Sequence, residues 1–370
     1  MRLWIRILLC LGMIGMNTVF ASAEKTDRSE FYTYQQMKKE LQQYEARYPD
    51  LISVHEIAKT QGGRAVIVLE IGKNDIGNSK PSMLAVFGQH ANEHETTNMA
   101  MGFTKKLLDS YGADTALTGM LDHSLIYIIP MANPDGTDYD LSGDSTFTTW
   151  RKNRAPTADG NCGVDLNRNW GYCWDAAVTN ELDRKINDPA DEYYHGKNYF
   201  SEAETKGISE FISRHKNQIK YFLDYHTGWS GFMQGFVLIP YCYTEKQYLP
   251  AAAQLKYKSI GGNLCSLIDD DTDKRRAYTP IRAYESRNYV LSSAPSEQRS
   301  LIEPYLPTST VAPGAAIDWT ASQGILSFGI EADCSAGEVE KDPAVRKKMI
   351  QDQFNGFIYI LRQLTTKQNQ

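Results

Sequence analysis

The stretch Ser82-Met83-Leu84-Ala85-Val86-Phe87-Gly88-Gln89-His90-Ala91-Asn92-Glu93 decides how this chain is read. Its first six residues are almost wholly apolar and are followed by a glycine, the pattern of a short strand buried on both faces of a sheet. Gly88 lets the backbone turn sharply. His90 and Glu93 then present an imidazole and a carboxylate close together, and both are good zinc ligands. His-x-x-Glu is a weak signal by itself. Position gives it weight, because open α/β sheets bind ligands at the carboxyl ends of their strands.

Outward from this stretch, apolar runs alternate with helical patterns. Ala65–Ile71, Ser82–Phe87, Leu125–Ile129, Ile219–Tyr225, Phe236–Ile239 and Ile325–Ile330 read as strands. Tyr34–Tyr48, Glu95–Tyr111, Ser201–His215, Ala251–Leu267 and Pro343–Thr366 read as helices. This interleaving predicts an α/β fold, a single domain with a mixed, largely parallel twisted sheet covered by helices on both faces. Two more strand ends carry chemistry. His226 follows Ile219–Tyr225 at once, ahead of Thr227-Gly228, and Glu331 ends Ile325–Ile330. A carboxylate closing so apolar a run is costly unless it has a partner or a task. Two histidines and one carboxylate leave a zinc position open for water, and a second carboxylate can serve as base.

Between the strands lie Asn133-Pro134-Asp135-Gly136, Trp150-Arg151-Lys152-Asn153-Arg154 and the most specific string, Gly163-Val164-Asp165-Leu166-Asn167-Arg168-Asn169-Trp170. Phe200-Ser201-Glu202 precedes a helix, and Gly314-Ala315-Ala316-Ile317-Asp318-Trp319 precedes the Glu331 strand. In this order, with His90, Glu93 and His226, these strings make the chain resemble the zinc metallocarboxypeptidases of the pancreatic A/B type. The resemblance runs from about residue 31 to about residue 366. It implies one zinc ion per chain, held by His90, Glu93 and His226, with Asp165 accepting from the other ring nitrogen of His90. It implies Glu331 as general base and Arg151 as the group that neutralises the oxyanion. Arg168 with Asn167 would clamp the terminal carboxylate of a peptide, a task suited to a guanidinium that binds bidentately and keeps its charge. Ile317 falls at the pocket position that sets side-chain preference, which implies neutral apolar or aromatic C-terminal residues. The family's mobile tyrosine, eight residues before the Asp of this motif, is Thr310 here; Tyr305 is the candidate substitute, with Tyr278 and Tyr284 behind it. Asn92 stands where the family carries an arginine.

Two rival readings use the same residues. His90-Ala91-Asn92-Glu93-His94 also satisfies the His-x-x-Glu-His pattern of zinc endopeptidases, in which both histidines bind metal from one helix face. Here His90 follows a strand through a glycine, so His94 reads as a helix-start residue. The other rival keeps the zinc site and changes the substrate to cell-wall peptides or N-acyl amino acids.

Composition sets the frame. A chain of 370 residues, 42% hydrophobic, can bury one large core. Arg2 and Arg6, the apolar run Ile7–Phe20 and Ala21-Ser22-Ala23 form a cleavable leader over residues 1–23. The catalytic domain then spans 24–370 in a secreted or periplasmic protein without a membrane-inserted segment. Loss of Arg2 and Arg6 moves the formal charge from −6 to −8, which argues against nucleic acid as a partner. The expected partner is a peptide or protein C-terminus, and the expected state is a monomer. Five cysteines outlast the leader, and Cys162–Cys173 with Cys242–Cys265 are the economical disulfides, leaving Cys334 over; buried free thiols are the alternative. Residues 269–310 form a polar insertion, either a wall of the site or a surface excursion.

Overall fold

Strand β1 (Ile52–Lys59) is the first element of the sheet, and the sequence pattern misses it. It pairs antiparallel with β2 (Ala65–Ile71) at the sheet edge, and more than half of it reaches solvent. His55, Glu56 and Lys59 therefore dilute its apolar signal. The computed structural model describes residues 30–73, 80–142, 150–157, 160–176, 185–227, 236–243, 249–268, 279–281, 312–332 and 342–366. Residues 1–23, read above as a leader, with Tyr278, Tyr284, Tyr305, Thr310, Cys334 and residues 269–310 apart from 279–281, lie outside the described residues.

The remaining strands are β3 (Ser82–Phe87), β4 (Leu125–Ile129), β5 (Ile219–Thr227), β6 (Phe236–Leu238), β7 (Thr279–Ile281) and β8 (Leu326–Ala332). Among the described residues they form one eight-stranded sheet in the order β1-β2-β4-β3-β5-β8-β6-β7. The central run β4-β3-β5-β8 is parallel, while β1–β2, β2–β4 and β6–β8 are antiparallel. This is the expected mixed sheet. The carboxyl ends of β3, β5 and β8 lie side by side on one edge.

The strand alternation sorts side chains onto two faces. Ile67, Leu69, Met83, Ala85 and Phe87 join the core beneath α1 (Tyr34–Arg47), α2 (His94–Ser110), α3 (Thr115–His123), α6 (Ala251–Ile268) and α8 (Pro343–Thr366). Val66, Val68, Leu84 and Val86 join the opposite core beneath α5 (Ala203–His215) and α7 (Ala316–Ser322). On the first face Phe87 stacks on Tyr225 at 4.4 Å between ring centroids, and Phe103 meets both edge-on. Truncating such a buried ring costs about 3–5 kcal/mol.

Local chemistry starts the helices where it should. Thr33 and Gln36 cap α1 reciprocally, and the Asp114 side chain accepts from the first-turn amides of α3. Asn133 caps α4 (Pro134–Leu141), which has proline at its start. Among the described residues, no helix is long and apolar enough to cross a membrane.

The disulfide expectation is corrected. None of Cys162, Cys173, Cys242 and Cys265 is in a disulfide. Cys242 packs in the core on one face of the sheet and Cys265 in the core on the other, so the strands separate them. Cys162 sits in a small bridge opposite Pro156, whereas the Cys173 sulfur hydrogen-bonds with Tyr243.

Candidate metal centre

The metal cluster is built by where β3 stops. Gly88 adopts φ +65°, and the backbone of Ala132 and Asn133 donates to Phe87 and Gly88, which fixes the turn. The amide of Ala91 donates to the carbonyl of Arg151, so the turn is also tied to the loop that follows. Glu93 is the last residue before α2, with non-helical φ −97° and ψ 59°. His226 arrives from the adjacent strand, within β5 rather than just after it.

Ligand atoms of His90, Glu93 and His226 lie within 4.8 Å of one another, and all three residues are buried. His90 Nδ1 stands 2.7 Å from Glu93 Oε1, and His226 Nδ1 stands 3.1 Å from Glu93 Oε2. The two Nδ1 atoms are themselves 3.1 Å apart. Two ring nitrogens and a carboxylate aimed at one point need a positive charge between them. Burial opposes charge on Glu93, but His90 and His226 hold its carboxyl well below the usual range. Burial likewise opposes charge on His226, yet the carboxylates of Asp224 and Glu93 hold its ring well above the ordinary imidazole range.

Glu331 comes from β8 and is paired in register with His226 across the parallel ladder. Its other neighbour is Phe236 of β6. Burial pushes its carboxyl up to about 7, against the pull of His226.

The segment between α4 (Pro134–Leu141) and α5 brings the arginines. Arg151 Nε donates to Asp165 Oδ2 at 2.9 Å, and its Nη1 lies 3.9 Å from Glu93 Oε1. Asp165 caps a 3₁₀ turn over Leu166–Arg168 by accepting from the amide of Asn167. Its Oδ1 is 3.2 Å from His90 Nε2, close but out of line for a full hydrogen bond. Burial raises an acid's pKa, yet Arg151, His90 and Arg168 hold Asp165 far below the carboxylate range. Arg168 and Arg151 flank the Tyr193 ring at 5.8 and 5.2 Å. Arg168 bonds through Nη1 to the carbonyl of Asn167, and its buried Nε has no hydrogen-bond partner among the described residues. Most of its donor capacity is unspent among the described residues.

Residues 37–360 match the zinc carboxypeptidase family. The chain belongs to that family. Rat carboxypeptidase A1 is 30% identical over 323 residues, which is 85% of this chain and 66% of the relative. Human carboxypeptidase A1 is 31% identical over 316 residues, 84% of this chain and 64% of the relative. The chain thus spans just under two thirds of the length of these relatives. In fold it is similar to bovine thrombin-activatable fibrinolysis inhibitor, solved with a tick carboxypeptidase inhibitor, with TM-score 0.72 and 21% identity over 92% of this chain and 99% of the other. Carboxypeptidase A from Helicoverpa armigera gives TM-score 0.73 and 22% identity over 98% of this chain and 80% of that one.

The cluster fits the ion of a zinc carboxypeptidase. Two imidazoles and one carboxylate form a borderline donor set that suits zinc, and three protein ligands leave a position open. The endopeptidase pattern does not fit. His94 is the first residue of α2, and its Nε2 faces Asp140 at 2.8 Å rather than the cluster. Because His90 precedes the helix, His90 and His94 share no helix face.

Two placements differ from expectation. The Asn167 amide spans inward, with Nδ2 3.3 Å from Asp224 Oδ2 and Oδ1 accepting from the amide of Ala316. Ile317 is packed against β8, its Cδ1 beside Gly329, and is 3% exposed. The residue missed by sequence reading is Asp224, whose Oδ2 lies 2.9 Å from His226 Nε2. Its signal was available: an acid inside the apolar run Ile219–Tyr225.

Proposed function

We propose that this chain is a secreted or periplasmic, monomeric zinc metallocarboxypeptidase that hydrolyses the C-terminal peptide bond of peptides. The observation that carries the reading is the in-register pairing of His226 with Glu331, which sets a carboxylate beside the ligand cluster without making it part of the cluster. Bound at His90, Glu93 and His226, zinc would polarise the scissile carbonyl and lower the pKa of an attacking water. Glu331 takes a proton from that water and delivers it to the leaving amine nitrogen. Its raised carboxyl pKa, about 7 without metal, suits a group that must both accept and release a proton. Arg151, kept cationic by Asp165 and Glu93 despite burial, meets the charge that develops on the carbonyl oxygen. Asp165 orients His90.

Arg168 receives the substrate's terminal carboxylate with its unspent donors, and this restricts cleavage to the last bond. Asn167 stands beside Arg168, with its own amide committed to Ala316 and Asp224. Ile317, packed against β8 and 3% exposed, would lie beneath the pocket as an apolar floor, which favours neutral apolar or aromatic terminal residues.

Hydrolysis of N-blocked dipeptides ending in Phe, Leu, Lys, Arg or Glu, beside C-terminally amidated counterparts, tests the reading. Cleavage of free acids with Phe or Leu, abolished by chelation and restored by zinc, is the expected result. Equal rates on amidated peptides would remove the carboxylate clamp.

A further inference from the structure

Asp224 is 1% exposed and sits between Leu223 and Tyr225 in the interior of β5. A carboxylate there is costly unless donors replace the water it has lost. Three do. Gln89 Nε2 donates to Oδ1 at 2.6 Å, Asn167 Nδ2 approaches Oδ2 at 3.3 Å, and His226 Nε2 stands 2.9 Å from Oδ2.

The polarity of these bonds follows from their outer ends. Trp170 Nε1 can only donate, and it donates to Gln89 Oε1 at 3.1 Å, so the NH₂ end of Gln89 must face Asp224. The Ala316 amide can only donate, and it donates to Asn167 Oδ1 at 2.8 Å, so the NH₂ end of Asn167 must also face inward. Both amides are locked by pure donors. Asp224 therefore has to be the acceptor on every side, and the neutral His226 ring keeps its proton on Nε2. The lone pair is then on Nδ1, the nitrogen turned towards Glu93 and His90. Asn167 Nδ2 also lies 3.0 Å from His226 Nε2. Asn167 and Asp224 therefore compete for this ring nitrogen, and the carboxylate, nearer at 2.9 Å and negatively charged, is the stronger partner.

We infer that Asp224 is a positioning residue for the metal: anchored by Gln89 and Asn167, it fixes His226 in the tautomer whose Nδ1 binds zinc. Each metal-facing histidine thus has a buried carboxylate behind its Nε2, Asp224 at 2.9 Å for His226 and Asp165 at 3.2 Å for His90. The inference rests on the zinc reading above and adds that the cluster's affinity is set partly from behind β5.

The test is zinc affinity, measured by competition with a chromophoric chelator on the chelator-stripped full chain. Asp224→Asn has the same shape, but Gln89 would claim its oxygen and leave an NH₂ facing His226 Nε2. That favours the wrong tautomer, and the dissociation constant for zinc should rise about 10- to 100-fold, the usual effect of losing such a partner. Replacing Gln89 by Met in the same chain frees the side chain at 224 to turn its oxygen to His226. The double variant D224N/Q89M should then bind zinc more tightly than D224N alone, a rescue that a merely structural role would not give. Zinc binding by D224N within twofold of wild type, or no recovery in the double variant, overturns the inference. If D224N does not fold, the ring-nitrogen NMR shifts of zinc-loaded wild type decide. A protonated Nε2 on His226 upholds the proposal, and a protonated Nδ1 overturns it. Failure of wild type to bind zinc would instead overturn the reading on which the inference rests.

Discussion

The site has two halves held by different means. His90, Glu93, His226 and Glu331 sit at the ends of β3, β5 and β8, where a parallel ladder fixes their spacing. Arg151, Asp165, Asn167 and Arg168 sit in the segment between α4 and α5, whose described residues lie mostly outside helices and strands. There, buried polar side chains replace the ladder. Asn153 accepts from the amide of Val164 and donates to Glu202, which ties the Arg151 segment to the Asp165 segment. Asn169 donates to the carbonyls of His195 and Asn198 and to Ser201, and accepts from Glu202 and Thr205. A ladder spreads its strength over many repeats of one bond. A hub concentrates it in one side chain, so the loop half should be the fragile one.

Glu331→Gln probes the strand half directly. It should lower kcat by about 10²- to 10⁴-fold, the usual contribution of a general base, while zinc content by metal analysis stays at wild type. Loss of zinc would mean that Glu331 is a ligand and that the two carboxylates have exchanged roles. Arg151→Ala should cost somewhat less, about 10²- to 10³-fold in kcat with KM nearly unchanged, if the arginine acts on developing charge. A rise in KM alone would move it to substrate binding.

Asn169→Ala separates the halves. It leaves several buried groups without partners and should cost about 2–4 kcal/mol of stability in urea unfolding. KM for a free-acid peptide should rise, since Arg168 is adjacent, while zinc affinity holds. Equal damage to zinc affinity would show that the halves are one cooperative unit.

The smallest effect is a pH dependence inside the loop scaffold. Burial pushes the Glu204 carboxyl from 4.5 up to about 7, with Glu202 and Asp135 adding to the rise. The folded chain then binds a proton that the unfolded chain has lost between those values, so stability falls as pH rises through that window. The loss is about 3 kcal/mol at most. Glu204→Gln should flatten this slope, read as the difference in urea midpoint between pH 4.5 and 7.5. An unchanged slope would place the titration elsewhere.

The same contrast explains what could be read in advance. Ser82–Phe87, Leu125–Ile129 and Ile219–Tyr225 were legible because strands buried on both faces are apolar throughout. His90, Glu93, His226 and Glu331 were legible because they interrupt that pattern at its ends. Strand β1 was not, since an edge strand alternates with solvent and shares its composition with loops. The cysteine pairing failed for a related reason: a sequence does not say on which face of the sheet Cys242 and Cys265 fall. The family motif marked Asn167 and Arg168 together, but only coordinates reveal that Asn167 turns inward to Asp224 while Arg168 keeps donors to spare.

His90 and His226 lie 136 residues apart in the chain, and Glu331 enters from the last strand among the described residues. No stretch emerging early in synthesis contains a working centre. Hydrolytic power would therefore switch on only when the final strand docks, so an unfinished or misfolded copy is harmless to its neighbours.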